Sequence, residues 1–177
     1  MPLLTTKLNE ALLTGLYVGK IKKAPGTFGS LLALVGWFIC ARYLNQEGVS
    51  LRSQNLLWSL LLLKSFIYAI FAIPFYAKKV GEIDHKSIVI DEVVGQILAL
   101  QITFFFIGEN YFENPRLILA HLLFCFVLFR FFDIKKPSLI GYLDRNLKNS
   151  FGVMLDDVLC GVVVGLVGIA TINFFHA

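Results

Sequence analysis

The chain has 177 residues, of which 57% are hydrophobic and 16% charged, and its mean hydropathy is +0.74. Soluble domains are nearer to about 45–50% apolar, so the composition excludes an ordinary soluble domain and indicates an integral membrane protein. The net charge of +4 is small and scattered, which excludes a nucleic-acid-binding surface. The length predicts a single membrane-embedded domain over residues 1–177.

The first 24 residues predict a short helix that lies on the membrane surface. Their apolar positions recur at close to helical spacing, at Leu8, Leu12, Leu16 and Tyr17. The basic residues follow this apolar part, at Lys20, Lys22 and Lys23. A cleaved signal peptide carries its charges before the apolar part, so we expect an interfacial helix instead.

Five apolar segments follow, each near the length of about 17–25 residues that a spanning helix requires. They cover residues 28–44, 56–77, 88–107, 117–134 and 158–175. The second segment is imperfect, because it contains Lys64, which can snorkel or pair, and Pro74, which can kink the helix near its end. The predicted fold is therefore all-α, a bundle of about five transmembrane helices with an N-terminal interfacial helix.

The distribution of lysine and arginine predicts the orientation of this bundle. From the N-terminus to the C-terminus, the segments between the spans carry four, two, three, one, four and none of them. This alternation follows the positive-inside rule and places the N-terminus in the cytoplasm. Most of the acids then fall at or near the cytoplasmic boundary: Asp84, Asp91, Glu92, Asp133, Asp144, Asp156 and Asp157. The acids assigned to the far side do not cluster at a helix end: Glu47, Glu109 and Glu113.

Residues 130–157 form a polar interval between two apolar runs. The interval contains four carboxylates, Asp133, Asp144, Asp156 and Asp157, and the last two lead directly into the uncharged residues 158–175. An acid pair at the mouth of an apolar helix is costly unless a positive group meets it. Taken separately, this pair could be only a cap, and Arg130 with Asp133 could be only a structural ion pair.

A second acid pair, Asp91 and Glu92, begins the third apolar segment, where the helix dipole alone would favour acids. Acids from three helix ends on one side of the membrane would repel one another. A bound Mg²⁺ removes this conflict, because it prefers hard oxygen ligands. We therefore predict a magnesium site at the cytoplasmic face, with Asp133 as a ligand or as the base that orients water. The predicted metal ligands are Asp91, Glu92, Asp156 and Asp157.

Basic and hydroxyl residues near these acids suit an anionic phosphate. Residues 25–30, with two glycines and two hydroxyls, open the first span, and a helix N-terminus suits phosphate oxygens, although turn and cap chemistry explains the same pattern. His85 is either the proton donor to a leaving oxygen or simply an interfacial polar residue. The predicted phosphate and headgroup ligands are Thr27, Ser30, Arg130, Lys136 and Arg145.

A metal, carboxylates and basic residues at a headgroup surface indicate chemistry on a lipid phosphate. Other phosphatase routes lack their motifs. The three cysteines lie in separate apolar runs, which excludes a disulfide framework, and Cys125 stands one residue short of a C-x5-R loop. There is no Asp-x-Asp motif and no Arg-Pro motif. Metal-dependent direct hydrolysis remains.

The motifs resemble, in order, those of the phosphatidylglycerophosphatase A family of Mg²⁺-dependent bacterial lipid phosphatases. The matching pieces are residues 25–30, 88–95, 130–137, 144–146 and 152–161. The resemblance implies hydrolysis of phosphatidylglycerophosphate to phosphatidylglycerol and phosphate in the inner membrane. It also implies that five acids bind metal or serve catalysis: Asp91, Glu92, Asp133, Asp156 and Asp157. The matching stretch 144–146 adds Asp144 and Asn146 to the expected substrate-binding residues.

Two alternatives share parts of this pattern. A small cation transporter would use intramembrane acids, but those acids should lie near the middle of the membrane and not at one boundary. An enzyme that transfers phosphate headgroups to an alcohol would share every feature, and analysis of its products would separate it from a hydrolase. The expected partner is the phospholipid substrate.

Overall fold

The computed structural model describes the backbone of residues 2–176 and the side chains of residues 6–108 and 111–174. This part of the chain is helical and contains no strand. The helices are α1 (Pro2–Leu13), α2 (Pro25–Gln46), α3 (Leu51–Val80), α4 (Ile90–Ile107), α5 (Pro115–Lys135), α6 (Ser138–Asn146) and α7 (Ser150–His176). Five of them, α2, α3, α4, α5 and α7, are long and apolar enough to span a membrane. The predicted all-α membrane fold is confirmed.

The N-terminal helix is shorter than the 24 residues predicted. It ends at Leu13, and the chain then turns through Leu16, Tyr17 and Ala24, whose φ angles are 55°, 71° and 50°. A right-handed helix cannot continue through residues in this left-handed region. The apolar residues at helical spacing therefore extend beyond the end of the helix, which made the predicted helix too long. A short 3₁₀ turn at Val18–Lys20 leads to α2.

The last span begins earlier than predicted, at Ser150 and not at residue 158. Asn149 begins it, because its side-chain Oδ1 accepts a hydrogen bond from Gly152 N (2.9 Å), as an N-cap does. Asp156 and Asp157 therefore lie about two turns inside α7. The interpretation of this pair as a cap at a helix mouth is wrong, and both side chains are buried.

Helix α4 lies at the centre of the bundle and packs against α2, α3, α5 and, most extensively, α7. Glycines let α4 and α7 approach closely. A Cβ atom on Gly95 would overlap the backbone oxygen of Asp157, and one on Gly161 would overlap the backbone oxygen of Gly95. Small residues allow such backbone contact between membrane helices, which lack a hydrophobic driving force for association.

Helix α1 packs against one end of this bundle. Leu13 O accepts a hydrogen bond from Val89 N (2.9 Å), directly before α4. Glu10 is buried and pairs with Lys20 and with Lys79 of α3 (2.7 Å to Lys79 Nζ). The hydrogen bonds from Lys20 and Lys79 hold the pKa of Glu10 below its ordinary value. We call this end of the bundle, where α2, α4 and α7 begin and α3 and α5 end, the polar end.

The opposite half of the bundle contains neutral polar contacts. Trp37 Nε1 donates to Gln101 Oε1 (2.9 Å), and Gln101 Nε2 donates to Asn55 Oδ1 (3.0 Å). His121 lies between Thr103 and Tyr111, with its Nδ1 2.9 Å from the Tyr111 hydroxyl. These contacts satisfy buried polar groups without ionised pairs, so the charged groups that matter for chemistry lie elsewhere.

We predict that Gly161→Val destabilises the protein because the new side chain would meet the backbone of α4. Overpacking of a core costs about 1–3 kcal/mol, and we expect the upper end because backbone cannot rotate away. Thermal unfolding in detergent measures the effect. Gly36→Val is the matched control, since a Cβ on Gly36 meets no atom within 4 Å. Equal unfolding midpoints for the two variants would contradict the packing argument.

Candidate active site

Three carboxylates from two helices meet at the polar end. Asp91 and Glu92 stand in the first turn of α4, and Asp157 comes from α7. One oxygen of each lies within 4.8 Å of the others. Asp157 is 3% exposed and Asp91 is 9% exposed. Asp91 Oδ1 and Glu92 Oε2 are buried and have no hydrogen-bond partner. Because buried like charges without donors are costly, the cluster requires a cation or protons.

The chemistry of this cluster fits a small divalent cation. Each carboxylate offers a hard oxygen ligand, and the three oxygens are near enough to contact a single ion. The unpartnered oxygens of Asp91 and Glu92 are the donors that such an ion would use. Carboxylate oxygens without sulfur or imidazole ligands favour magnesium, calcium or manganese over zinc or copper.

The end of α5 brings the guanidinium group of Arg130 to these acids, and the start of α2 brings the hydroxyl of Ser30. A Cβ on Gly26 would overlap Glu92 Oε1 and lie 3.2 Å from Arg130 Nη1, so glycine is needed for this approach. Arg130 Nη1 donates to Ser30 Oγ (3.4 Å) and pairs with Asp133, three residues along α5. Ser30, Arg130 and Asp133 therefore lie in one site with the acids.

Lys136 links two further acids beside the cluster. Its Nζ donates to Asp144 Oδ1 (2.7 Å) and to Asp156 Oδ2 (2.5 Å). Burial acts to lower the pKa of Lys136, but the hydrogen bonds with Asp144 and Asp156 raise it above its ordinary value. Burial acts to raise the pKa of Asp144, but the hydrogen bond from Lys136 holds it below its ordinary value. Lys136 thus carries its charge between two carboxylates.

Both oxygens of Asp156 are engaged. Oδ2 accepts from Lys136, and Oδ1 accepts from the backbone N of Asp157 (3.0 Å). Asp156 is separate from the cluster of Asp91, Glu92 and Asp157, although it is only one residue away from Asp157. Its role as a metal ligand stays a prediction, and direct coordination would require these contacts to change.

The remaining predicted residues lie around this centre. Thr27 is half-buried in the first turn of α2, whereas Arg145 and Asn146 are exposed at the end of α6. His85 Nδ1 lies 2.7 Å from Ser87 Oγ, which lies 3.1 Å from the Tyr76 hydroxyl. This hydrogen-bond chain runs towards α3, so the structure does not place His85 in contact with the carboxylate cluster.

Gln96 is a site residue that the sequence interpretation missed. It is fully buried, and neither Nε2 nor Oε1 of its amide has a hydrogen-bond partner. It stands four residues after Glu92 on α4 and therefore lies one turn deeper on the same face. An amide both donates and accepts, so Gln96 suits a buried water or a ligand oxygen. Its position, one turn after an acid in an apolar helix, was the signal that could have identified it.

The fold and this site define a multi-pass helical membrane protein with a buried carboxylate cluster at one end. The family model for phosphatidylglycerophosphatase A matches residues 11–172. A phosphatidylglycerophosphatase A from Haemophilus influenzae is 35% identical over 156 residues, which cover 88% of this chain and 83% of the relative. The chain belongs to the phosphatidylglycerophosphatase A family.

Two further relatives show the breadth of the similarity. A phosphatidylglycerophosphatase A from Escherichia coli is 32% identical over 139 residues, and the match covers 78% of this chain and 69% of the relative. A protein from Bacteroides thetaiotaomicron, provisionally named a phosphatidylinositol-3-phosphatase, is 35% identical, and the match covers 84% of each chain. No solved structure matches the chain significantly.

We predict that Lys136→Met destabilises the protein, because it leaves Asp156 buried without its cation. The expected cost is about 2–3 kcal/mol, below the about 3–5 kcal/mol of a fully buried pair, since the Lys136 side chain is 29% exposed. Adding Asp156→Asn should recover most of this loss. Denaturant unfolding in detergent measures both variants, with the exposed Lys148→Met as the control.

The contribution of Lys136 to the stability of the fold depends on pH with a defined sign. Because the pKa of Lys136 is raised, its contribution to stability is complete below its unfolded value of about 10.5 and is lost as the pH rises through the higher folded value.

A double variant as unstable as Lys136→Met alone would show that pairing with Asp156 is not the cause.

Proposed function

We propose that this protein is a Mg²⁺-dependent lipid phosphatase that hydrolyses phosphatidylglycerophosphate to phosphatidylglycerol and phosphate. The observation that carries the proposal is the buried cluster of Asp91, Glu92 and Asp157 beside Arg130, in a chain of the phosphatidylglycerophosphatase A family. The charge pattern of the loops supports a bacterial inner membrane location, with the N-terminus and the polar end facing the cytoplasm.

Asp91, Glu92 and Asp157 would hold the ion. When bound, Mg²⁺ supplies positive charge that lowers the pKa of water and neutralises charge on the phosphoryl group. Arg130 lies at the junction of α2 and α5 and binds the substrate phosphate, together with Ser30 and Thr27. Gln96, one helical turn after Glu92, binds a buried water or a phosphate oxygen.

The reaction exchanges one bond to phosphorus for another. A water oxygen bonds to phosphorus, and the bond between phosphorus and the terminal glycerol oxygen breaks. Asp133, held by Arg130, orients this water and accepts its proton, while His85, which does not contact the carboxylate cluster, gives a proton to the leaving glycerol oxygen through a water. We assign contacts with the glycerol phosphate to residues at the C-cap of α5 and in α6: Lys136, Asp144, Arg145 and Asn146.

Hydrolysis is a better explanation than cation transport. A transporter needs ion ligands along a path through the membrane, but the carboxylate cluster lies at the polar end. The opposite half of the bundle contains the neutral contacts of Trp37, Gln101 and His121. A different lipid phosphate is the stronger competitor, because one relative is named for phosphatidylinositol 3-phosphate.

We predict that purified protein in detergent releases phosphate from phosphatidylglycerophosphate with Mg²⁺ and not with EDTA. Asp157→Asn should lower turnover by about 10²–10³-fold or more, because it removes one anionic ligand of the ion. Asp84→Asn is the matched control, since Asp84 lies outside the carboxylate cluster. A thermal shift on adding Mg²⁺, present in the unmutated protein and lost in Asp157→Asn, reports metal binding independently of turnover.

Phosphatidylinositol 3-phosphate serves as the second substrate in the same assay. We expect slower release from it, and faster release would reassign the headgroup while keeping the hydrolase. Folded protein that releases no phosphate from either lipid under any divalent metal would refute the phosphatase proposal.

We predict that His85→Ala lowers kcat by about 10²-fold with little change in KM, because it removes a proton donor and not a binding contact. Ser87→Ala is the companion variant, since it removes only the hydroxyl beside His85 Nδ1. Unchanged turnover and an unchanged pH profile in His85→Ala would leave His85 as an interfacial residue.

A further inference from the structure

The proposed reaction does not use Lys64, a cation inside an apolar span. It lies in α3, between the exposed apolar residues Leu61 and Ile67, and its own side chain is exposed. Among the side chains that the structure describes, no acid pairs with it: the described ion pairs involve Lys20, Lys79, Arg130 and Lys136. A charge at this depth is costly without a partner, and an anion from outside the chain would lower this cost.

Lys64 lines a groove of about 450 Å³ between α3 and α4. This volume lies within the range of about 300–1,000 Å³ that is typical of ligand sites. Most of the wall is apolar, with Leu12, Leu61, Leu62, Ile90, Val93, Val94 and Ile97. Ser65 and Tyr68 add hydroxyls near Lys64, and the Tyr68 hydroxyl donates to Asn9 of α1 (2.9 Å).

The groove runs from the polar end into the membrane. Tyr68 and Ile90 mark its outer end, because Tyr68 bonds to α1 and Ile90 is the first residue of α4. Lys64 stands four residues deeper along α3, or about 6 Å. The Lys64 side chain can snorkel across this distance towards the headgroup level. The groove therefore places its cation near headgroups and its apolar wall beside acyl chains.

Trp58 lies at the deep end of the groove. Its side chain lines the groove and is 8% exposed. Trp58 and Lys64 are six residues apart, or about 9 Å along α3. A lipid whose phosphate meets Lys64 therefore places its acyl chain beside the indole ring of Trp58.

The groove is separate from the carboxylate cluster. Ile90, Val93 and Ile97 share one face of α4 at helical spacing, while Glu92 and Gly95 face the opposite side, towards α2 and α7. A lipid in the groove would therefore bind at the membrane-facing side of α4 without occupying the proposed catalytic centre.

We propose that the groove between α3 and α4 binds one anionic phospholipid from the surrounding bilayer, with its phosphate on Lys64 and an acyl chain along Leu61, Val93 and Ile97. Charge complementarity selects the occupant, since a lone cation prefers a lipid of net negative charge over a zwitterionic one. The site goes beyond the hydrolytic reaction and does not depend on it.

Tryptophan fluorescence tests this proposal, because the chain has two tryptophans and only Trp58 lines the groove. The protein is reconstituted in phosphatidylcholine bilayers that contain a minor fraction of brominated phosphatidylglycerol, or the same fraction of brominated phosphatidylcholine. Bromine quenches only nearby indoles, and Trp58→Phe gives the contribution of Trp37, which is fully buried. Phosphatidylglycerol should show an apparent affinity about fivefold higher than phosphatidylcholine, the effect of one lysine near anionic lipid.

The variants separate the charge from the shape of the groove. Lys64→Gln should remove the preference for phosphatidylglycerol, whereas Lys64→Arg should retain it. Lys78→Gln is the matched control, because it removes a lysine from the same helix outside the groove. A preference that survives Lys64→Gln would overturn the proposal.

Two further outcomes would also overturn it. Equal quenching by both lipids in the unmutated protein would make the groove an ordinary lipid contact without selectivity. Loss of quenching by both lipids as the protein concentration in the bilayer rises would indicate that a second copy of the chain covers the groove.

Discussion

The backbone contact between α4 and α7 is the constraint on which the site depends. Gly95 and Gly161 remove the Cβ atoms that would hold these helices apart, and Gly95 packs directly against the backbone of Asp157. This contact brings Asp157 within 4.8 Å of Asp91 and Glu92 despite their mutual repulsion. Helix packing thus holds the three acids together, and a cation or protons would relieve their repulsion.

Around this contact, basic residues pair with the acids that lie outside the cluster of Asp91, Glu92 and Asp157. Arg130 pairs with Asp133, and Lys136 bridges Asp144 and Asp156. The two basic residues come from the end of α5 and its C-cap, where the helix dipole also favours cations. Three unpaired acids thus lie beside acids that have basic partners. This difference in pairing separates Asp157 from Asp156 more clearly than sequence position does.

Much of the fold and part of the site could be predicted from the sequence. The five spans follow from hydrophobic length alone, and the clustering of Asp91, Glu92 and Asp157 follows from their common position at one boundary. The start of α7 could not be predicted, because Asn149 caps the helix within a stretch that reads as polar. Asp156 and Asp157 are adjacent in sequence, yet about 100° of helical rotation points one towards Lys136 and the other towards Glu92. Gln96 was missed because a lone amide in an apolar helix has no motif around it.

The packing contact between α4 and α7 also has a consequence for the order in which the protein is assembled in the membrane. Membrane helices enter the bilayer in the order of synthesis, so α4 arrives with Asp91 and Glu92 well before α7 exists. During that interval the face of α4 that contains Gly95 has no partner helix, and two acids stand at its start without the third. The arrival of α7 therefore supplies both the helix that packs on Gly95 and the third acid of the carboxylate cluster. Chains in which α7 has not yet entered the bilayer therefore lack the complete cluster.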